Sequence, residues 1–178
     1  MKRHIIILYA CLCCLFGCGI SVAKAQVLGE WKVYPSYHQA TQNVLAGKSV
    51  YSLMDGNLLC YDTEDSSVKL YDCLNELSDV HINFIAYSEE AKRFILVYDN
   101  GNIDLLDLED NVQNISSLKD KALSRKEVQD VTVNGTTAYL ATGFGFLTID
   151  MKEGVVRDTY LLGVDAHSVA VCQDMLWL

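Results

Sequence analysis

Three stretches of the sequence follow one plan: YSLMDGNLLCYD (residues 51–62), LVYDNGNIDLLD (96–107) and YLATGFGFLTID (139–150). Each has an apolar run, a glycine-bearing turn and a second apolar run that ends in aspartate. The closing aspartates, Asp62, Asp107 and Asp150, lie 45 and 43 residues apart. Such runs around a turn with Gly or Asn predict a β-hairpin, because these residues adopt positive φ readily. The chain therefore contains a repeat built around a hairpin.

Further strand-like runs flank each predicted hairpin. They lie ahead of it at 43–46, 82–87 and 128–133, and behind it at 68–71, 112–115 and 155–161. Only residues 118–127, rich in Lys and Arg, suit a turn of helix in a loop. Four antiparallel strands repeated every 40 to 45 residues or so are typical of β-propeller blades. The alternative all-β fold, a β-sandwich, predicts no such register.

A fourth unit begins near the end of the sequence. Residues 169–177 (VAVCQDMLW) match residues 131–139 (VTVNGTTAY), and one further residue follows. Propellers close with about four to eight blades. We therefore expect an incomplete β-propeller, about three blades plus the start of a fourth, over residues 26–178, and interpret the chain as the N-terminal part of a longer protein.

The first 25 residues have the pattern of an export signal. Met1-Lys2-Arg3-His4 is basic, residues 5–16 are almost all apolar, and Ala23-Lys24-Ala25 has small residues where signal peptidase inspects them. We expect cleavage after Ala25. Two alternatives stay open: a retained membrane anchor, which needs about 20 apolar residues, and a lipoprotein acylated at Cys18.

The composition is that of a folded, acidic protein. Of the 178 residues, 51% are hydrophobic and 21% charged, with a single proline. The net charge of −9 falls to −12 when Lys2, Arg3 and Lys24 leave with the signal. This balance argues against binding through phosphate neutralisation, so we predict no nucleic-acid partner.

Export would also change the cysteine count. Four of the seven cysteines precede residue 26, which leaves Cys60, Cys73 and Cys172. An oxidising compartment permits a disulfide between Cys60 and Cys73. We favour buried free thiols, because three is an odd number and no CxxC motif remains.

No pattern predicts a catalytic residue or a zinc site. Asp165-Ala-His167-Ser168 contains the residue types of a catalytic triad, but adjacent positions do not give relay geometry, and a polar inter-blade turn is the favoured interpretation. His38, His81 and His167 lack the spacing of zinc ligands.

Three further features have a functional and a structural interpretation, and we favour the structural one for each. Asp99-Asn100-Gly101-Asn102 with Asp104 offers oxygen ligands for calcium, but it lacks the glutamate of an EF-hand loop and falls on a predicted hairpin. Gly143-Phe144-Gly145 is no phosphate loop, because no helix follows it. Trp31, Tyr34 and Tyr37 suit sugar stacking or burial. We predict no metal and no cofactor.

Six motifs occur in order along the chain: GEWKVYPSY (29–37), ELSDV (76–80), IAYSEE (85–90), NGNID (100–104), AYLATGFGF (138–146) and DTY (158–160). This series resembles the N-terminal propeller of the PorZ family and covers nearly all of residues 27–178. The Leu-Ser-Asp element (77–79) also occurs in propeller sensor domains of hybrid two-component histidine kinases. Glu76 stands here where the family usually has glycine, so the turn there is expected to differ.

The resemblance implies a non-catalytic scaffold or binding component of the type IX protein secretion machinery, exported to the periplasm or cell surface of a Gram-negative bacterium. Family members assist cargo maturation and the attachment of anionic lipopolysaccharide. The implied partners are sortase-like and outer-membrane components of the machinery, and anionic lipopolysaccharide. The alternative is a periplasmic glycan-sensing propeller domain of a hybrid two-component regulator.

One loop is the candidate contact for such an anion. A mature charge of −12 disfavours broad electrostatic capture, because screening over about 8 Å leaves only local patches effective. The candidate patch comprises Lys119, Lys121, Arg125 and Lys126. The alternative is that these four cations only solvate the loop.

Overall fold

The computed structural model describes residues 34–178 apart from residue 174. The predicted signal, its cleavage site after Ala25 and Trp31 lie outside the described residues. The described part forms three four-stranded antiparallel sheets, a two-stranded sheet and a short helix. The elements are β1 (Ala40–Ala46), β2 (Ser49–Met54), β3 (Asn57–Asp62), β4 (Val68–Tyr71), β5 (Ile82–Ser88), β6 (Arg93–Tyr98), β7 (Ile103–Asp107), β8 (Val112–Ile115), α1 (Ser117–Asp120), β9 (Val128–Asn134), β10 (Thr137–Thr142), β11 (Gly145–Asp150), β12 (Val155–Leu161), β13 (Ala170–Cys172) and β14 (Met175–Trp177).

The sheets are successive propeller blades. Blade 1 is β1–β4, blade 2 is β5–β8, blade 3 is β9–β12, and β13–β14 begin blade 4. Strands follow chain order across each full blade, and the first strands are neighbours: β1 beside β5, β5 beside β9, β9 beside β13. The first strand is therefore innermost and the fourth outermost. The predicted fold, an incomplete β-propeller, is confirmed, and the outer strands have the predicted bounds.

The hydrophobic core lies between successive blades. In β6, Phe94, Leu96 and Tyr98 pack toward blade 1, whereas Ile95 and Val97 pack toward blade 3. All of them are at most 1% exposed. Successive side chains of a strand point to opposite faces, so a strand that is apolar at every position is buried on both. Each such side chain contributes about 1.5–3 kcal/mol relative to an exposed one.

The aspartates that define the sequence repeat close the turn before each outer strand. In each blade the Oδ1 atom accepts the backbone N–H of the residue two positions on, at 2.7–2.9 Å, for Asp62, Asp107 and Asp150. Aspartate side chains commonly stabilise turns in this way. The aspartates therefore recur in the sequence because each stabilises the turn between the third and fourth strands of its blade.

Glycine serves the hairpins in two different ways. Gly56 and Gly101 have φ of +77° and +81°, as predicted. Gly143 is not among the glycines of positive φ. A Cβ at Gly143 would lie 2.6 Å from the carbonyl oxygen of Arg125, so this position needs glycine for space. In that hairpin the positive φ belongs to Gly145, at +137°.

The predicted turn of helix within 118–127 forms only at its start. Helix α1 ends at Asp120, and residues 121–127 are irregular. Leu118 holds the helix in place because its side chain is 1% exposed and packs in the core between blades 2 and 3. Among the described residues, no helix is long and apolar enough to cross a membrane.

The cysteines match the prediction only in part. Cys60, Cys73 and Cys172 are free, and Cys60 is buried. Cys73 and Cys172 are exposed, so the prediction of buried thiols is wrong for these two. Cys73 follows β4 in a turn, and Cys172 takes an outward position on the short strand β13.

Candidate functional site

The segments that join blades meet the hairpins on one side of the sheets, which we call the loop face. It comprises the first linker (72–81), the second linker (116–127), the third linker (162–169) and hairpin turns 55–56, 99–102 and 143–144. The N–H of Ile82 donates to the carbonyl of Gly56 at 2.9 Å, and that of Ala166 to the carbonyl of Thr142 at 3.1 Å. Most of the candidate residues from the sequence lie here.

The Leu-Ser-Asp element of the first linker connects blade 1 to blade 2. Leu77 is buried in the core between these blades. The N–H of Ser78 donates to Asp104 Oδ2 at 2.8 Å, and Asp79 Oδ2 accepts Asn100 Nδ2 at 2.7 Å. Hydrogen bonds therefore connect the Leu-Ser-Asp element to the hairpin of blade 2. We call this group of residues (Ser78, Asp79, Asn100 and Asp104) the joint.

Asp104 is the buried centre of this joint. Its side chain is inaccessible to solvent, and Oδ2 accepts the Tyr98 hydroxyl at 2.6 Å in addition to Ser78. Its Oδ1 atom accepts Asn114 Nδ2 at 2.7 Å. Burial raises the pKa of Tyr98, and the hydrogen bond to Asp104 raises it further. Both oxygens of Asp104 thus bind protein donors, and the described residues hold no cluster of His, Cys, Asp and Glu suited to a metal ion.

Asp79 ties the second linker to the same joint. Lys119 Nζ lies 2.8 Å from Asp79 Oδ2, and the Asp79 side chain is 17% exposed. Partial burial by itself raises the pKa of Asp79, but hydrogen bonds from Lys119 and Asn100 outweigh it and lower the pKa to about 2. Asp79 is therefore ionised in the folded protein at any physiological pH.

The four candidate cations have different partners. Lys119 pairs with Asp79, and Arg125 pairs with Asp165 of the third linker. Lys121 Nζ donates to Thr159 Oγ1 at 2.9 Å. Lys126 Nζ donates to the backbone carbonyls of Lys119 and Lys121. Within the described residues, Lys121 and Lys126 are therefore the two of the four that no carboxylate neutralises.

A shallow pocket opens beside Lys121. It has a volume of about 330 Å³ and lies between the second linker and β12. Its walls are Lys121, Ala122, Leu123, Thr159 and Leu161. No sequence motif predicts this pocket, because Lys121 and Thr159 on its two sides are 38 positions apart and meet only in the folded blade.

The triad-like residues do not converge. Asp165 pairs with Arg125, whereas Ser168 Oγ donates to Asp130 Oδ2 at 2.8 Å. His167 is exposed. The N–H of Val169 also donates to Asp130, at 3.0 Å, so the segment anchors the third linker to the inner strand β9. This arrangement is a polar inter-blade turn.

The remaining candidates line the hairpin of blade 1 or precede it. His38 Nδ1 lies 3.7 Å from Asp55 Oδ2. His81, in the first linker, lies next to Gly56 of the hairpin. Tyr34 is 84% exposed, so the prediction of burial is wrong for it. The Tyr37 hydroxyl is buried and has no hydrogen-bond partner among residues 34–173 and 175–178, and burial raises the pKa of Tyr37.

Comparison with known proteins places the chain in one family. No curated protein matches it. The family described as "TSS9, PorZ, N-terminal beta-propeller domain" matches residues 50–178. A solved structure of PorZ, "an essential bacterial surface component of the type-IX secretion system" of Porphyromonas gingivalis, is 34% identical, with a TM-score of 0.75. The match covers 79% of this chain and 19% of PorZ, so the chain spans about a fifth of that protein.

More distant structures share the fold alone. The extracellular domain of a putative hybrid two-component system from B. thetaiotaomicron is 16% identical, with a TM-score of 0.61, over 74% of this chain and 18% of that one. A computationally designed protein is 11% identical, with a TM-score of 0.60, over 82% and 87% of the two chains. The family match and the 34% identity are the specific findings, and by them the chain belongs to the PorZ N-terminal β-propeller family of type IX secretion.

Proposed function

We propose that the chain forms the first blades of a PorZ-type component of the type IX secretion machinery, exported to the periplasm or cell surface. The observation that carries the proposal is the family match over residues 50–178. Because the chain spans 19% of the solved PorZ, the proposed activity belongs to the whole protein.

The proposed role is that of a non-catalytic scaffold. Carboxylates on and next to the loop face support this role, because they bind backbone and side-chain donors of the linkers and so join one blade to the next. Asp79, Asp104 and Asp130 all act in this way. A rigid loop face of this kind suits the positioning of partner proteins.

The proposed partners are sortase-like and outer-membrane components of the machinery. In this role the protein assists removal of sorting signals from cargo and attachment of anionic lipopolysaccharide. The anion contact at Lys119, Lys121, Arg125 and Lys126 stays a prediction. An anion at Lys119 or Arg125 has to compete with Asp79 or Asp165, so Lys121 and Lys126 are the more available pair.

Deletion of the gene tests the proposal. We expect cargo to accumulate inside the envelope with uncleaved C-terminal signals and without attached lipopolysaccharide. The complete gene, supplied in trans, should restore both. Normal cargo maturation together with altered transcription of a polysaccharide-use locus would contradict the proposal and favour the sensor alternative.

A further inference from the structure

The outer edge of blade 3 differs from those of blades 1 and 2. The outer strands β4 and β8 have 4 residues each, whereas β12 has 7. Within the described part of the chain, β12 pairs with β11 on one side and with no strand on the other. A long outer edge carries a row of unpaired N–H and C=O groups, which is a template for one more strand.

Apolar side chains accompany this edge. On β12, Val155 is 50% exposed and Leu161 is 64% exposed. Thr159 and Leu161 are two positions apart and therefore project to the same face of the sheet, where they form one wall of the pocket beside Lys121. The pocket volume of about 330 Å³ falls within the usual range for ligand sites. A strand added to this edge would place an apolar side chain next to Leu161.

The charge beside the pocket is positive. Among the residues that the structure describes, Lys121 binds only the hydroxyl of Thr159, and Lys126 binds only backbone carbonyls. The neighbouring cations, Lys119 and Arg125, are each paired with a carboxylate. Thr159 lies opposite Leu147 on the pocket face, whereas Asp158 lies opposite Thr148 on the other face. An acidic side chain opposite Thr159 would therefore meet Lys121.

We infer that the outer edge of β12 binds an extended peptide segment as a fifth strand of blade 3. The segment carries a large apolar residue and an acidic residue two positions apart. Main-chain hydrogen bonds supply affinity, the pocket accepts the apolar side chain, and Lys121 with Lys126 receives the carboxylate. This inference concerns peptide recognition and does not depend on the proposed secretion role.

The test is a binding measurement with the full chain and a labelled peptide, Thr-Val-Thr-Glu-Thr-Leu-Thr-Val-Thr, followed by fluorescence anisotropy. We expect Leu161→Lys and Lys121→Glu each to weaken binding by about tenfold or more, because each removes one determinant. Val68→Lys on β4 is the matched control, since Val68 is a 56% exposed residue of another outer strand, and it should leave binding unchanged.

Two further peptides distinguish a loss of the binding surface from misfolding of the variant protein. A peptide methylated at alternate backbone nitrogens should not bind, because it cannot pair as a strand. A peptide with lysine in place of glutamate should bind Lys121→Glu better than it binds the unaltered chain. Absence of peptide binding, equal binding of the methylated peptide, or binding of anionic phosphatidylglycerol vesicles in place of peptide would overturn the inference. These outcomes leave the secretion phenotype of the gene deletion untouched, so the two proposals fail separately.

Discussion

The first and second linkers connect similar blades in different ways. The first linker places Leu77 in the core and binds the buried carboxylate of Asp104 through the Ser78 backbone. The second linker also buries one leucine, Leu118, and packs the partly buried Leu123 on the same core, whereas Arg125 pairs with Asp165 at the surface. The first linker is thus fixed mainly by a buried polar joint. The second linker is fixed by Leu118, by the partly buried Leu123, and by the ion pairs of Lys119 with Asp79 and of Arg125 with Asp165.

This difference separates stability from recognition. All the hydrogen-bond donors to the buried carboxylate come from the protein, so removal of any one of them lowers the free energy of unfolding. The residues of the first linker are therefore constrained by the requirements of the fold. In the described part of the chain, Lys121 and Lys126 of the second linker have no carboxylate partner, and Lys121 lies beside an open pocket. Exposed loops on a rigid scaffold commonly carry binding residues. We therefore expect the first linker to serve stability, and we propose the second as the recognition segment.

The largest effect should come from the buried joint. Asp104→Ala leaves the Tyr98 hydroxyl and the Ser78 N–H without their acceptor, and we expect the free energy of unfolding to fall by about 3–5 kcal/mol. Chemical denaturation measures it. Asp99→Ala, at an exposed position of the same hairpin, is the control and should change stability by less than about 0.5 kcal/mol. Equal effects would show that the joint does not hold the blades.

The next largest loss of stability is expected where the second linker lies close to blade 3. In Gly143→Ala the new Cβ would lie 2.6 Å from the carbonyl oxygen of Arg125, so we expect a loss of about 2–3 kcal/mol. Gly47→Ala is the matched control, because φ is +59° there but no atom lies within 4 Å of the new Cβ. It should cost only about 1 kcal/mol, from backbone conformation alone. The reverse order would contradict the packing described for Gly143.

Acid should weaken the connection between the two linkers. The pKa of Asp79 is lowered to about 2, so its ionised form stabilises the fold fully above its usual pKa near 4. This contribution, about 2 kcal/mol, is lost as the pH falls from about 4 to about 2. Denaturation across this range should show a smaller loss in Asp79→Asn than in the unaltered protein. An identical pH profile would exclude Asp79 as the titrating group.

The smallest effect is expected at the exposed ion pair. The Arg125 and Asp165 side chains are 57% and 35% exposed, so water screens their attraction. Arg125→Ala and Asp165→Ala, with the double variant, should give a coupling energy below about 1 kcal/mol in a double-mutant cycle. A coupling as large as the effect of Asp104→Ala would remove the distinction between the two linkers.

Local chemistry made the blades predictable from the sequence. The outer strands at 68–71, 112–115 and 155–161 follow from strand alternation and from turn-closing aspartates, which act within a few residues. The pairing of β13 with β14 agrees with the match of residues 169–177 to 131–139. The resemblance to the PorZ family is confirmed by the family match.

The site was less predictable because its contacts are long-range. Ser78 and Asp104 are 26 positions apart, and Lys121 and Thr159 are 38 apart, so neither pair forms a motif. The sequence predicts a turn at the Asn-Gly hairpin, but the hydrogen bonds of this turn to the Leu-Ser-Asp element depend on the packing of two blades. Gly143 shows the same limit, since its requirement for space arises from Arg125 in another segment.

The most direct test measures the fraction of cargo with cleaved C-terminal sorting signals in cells that lack the gene and carry full-length variants of it. With Lys121→Glu and Lys126→Glu combined, we expect an unchanged Tm and a clear fall in cleaved cargo. With Asp104→Ala, both Tm and cleaved cargo should fall. Wild-type cargo maturation by the double lysine variant would contradict the assignment of recognition to the second linker, and normal maturation in the absence of the gene would contradict the secretion role itself.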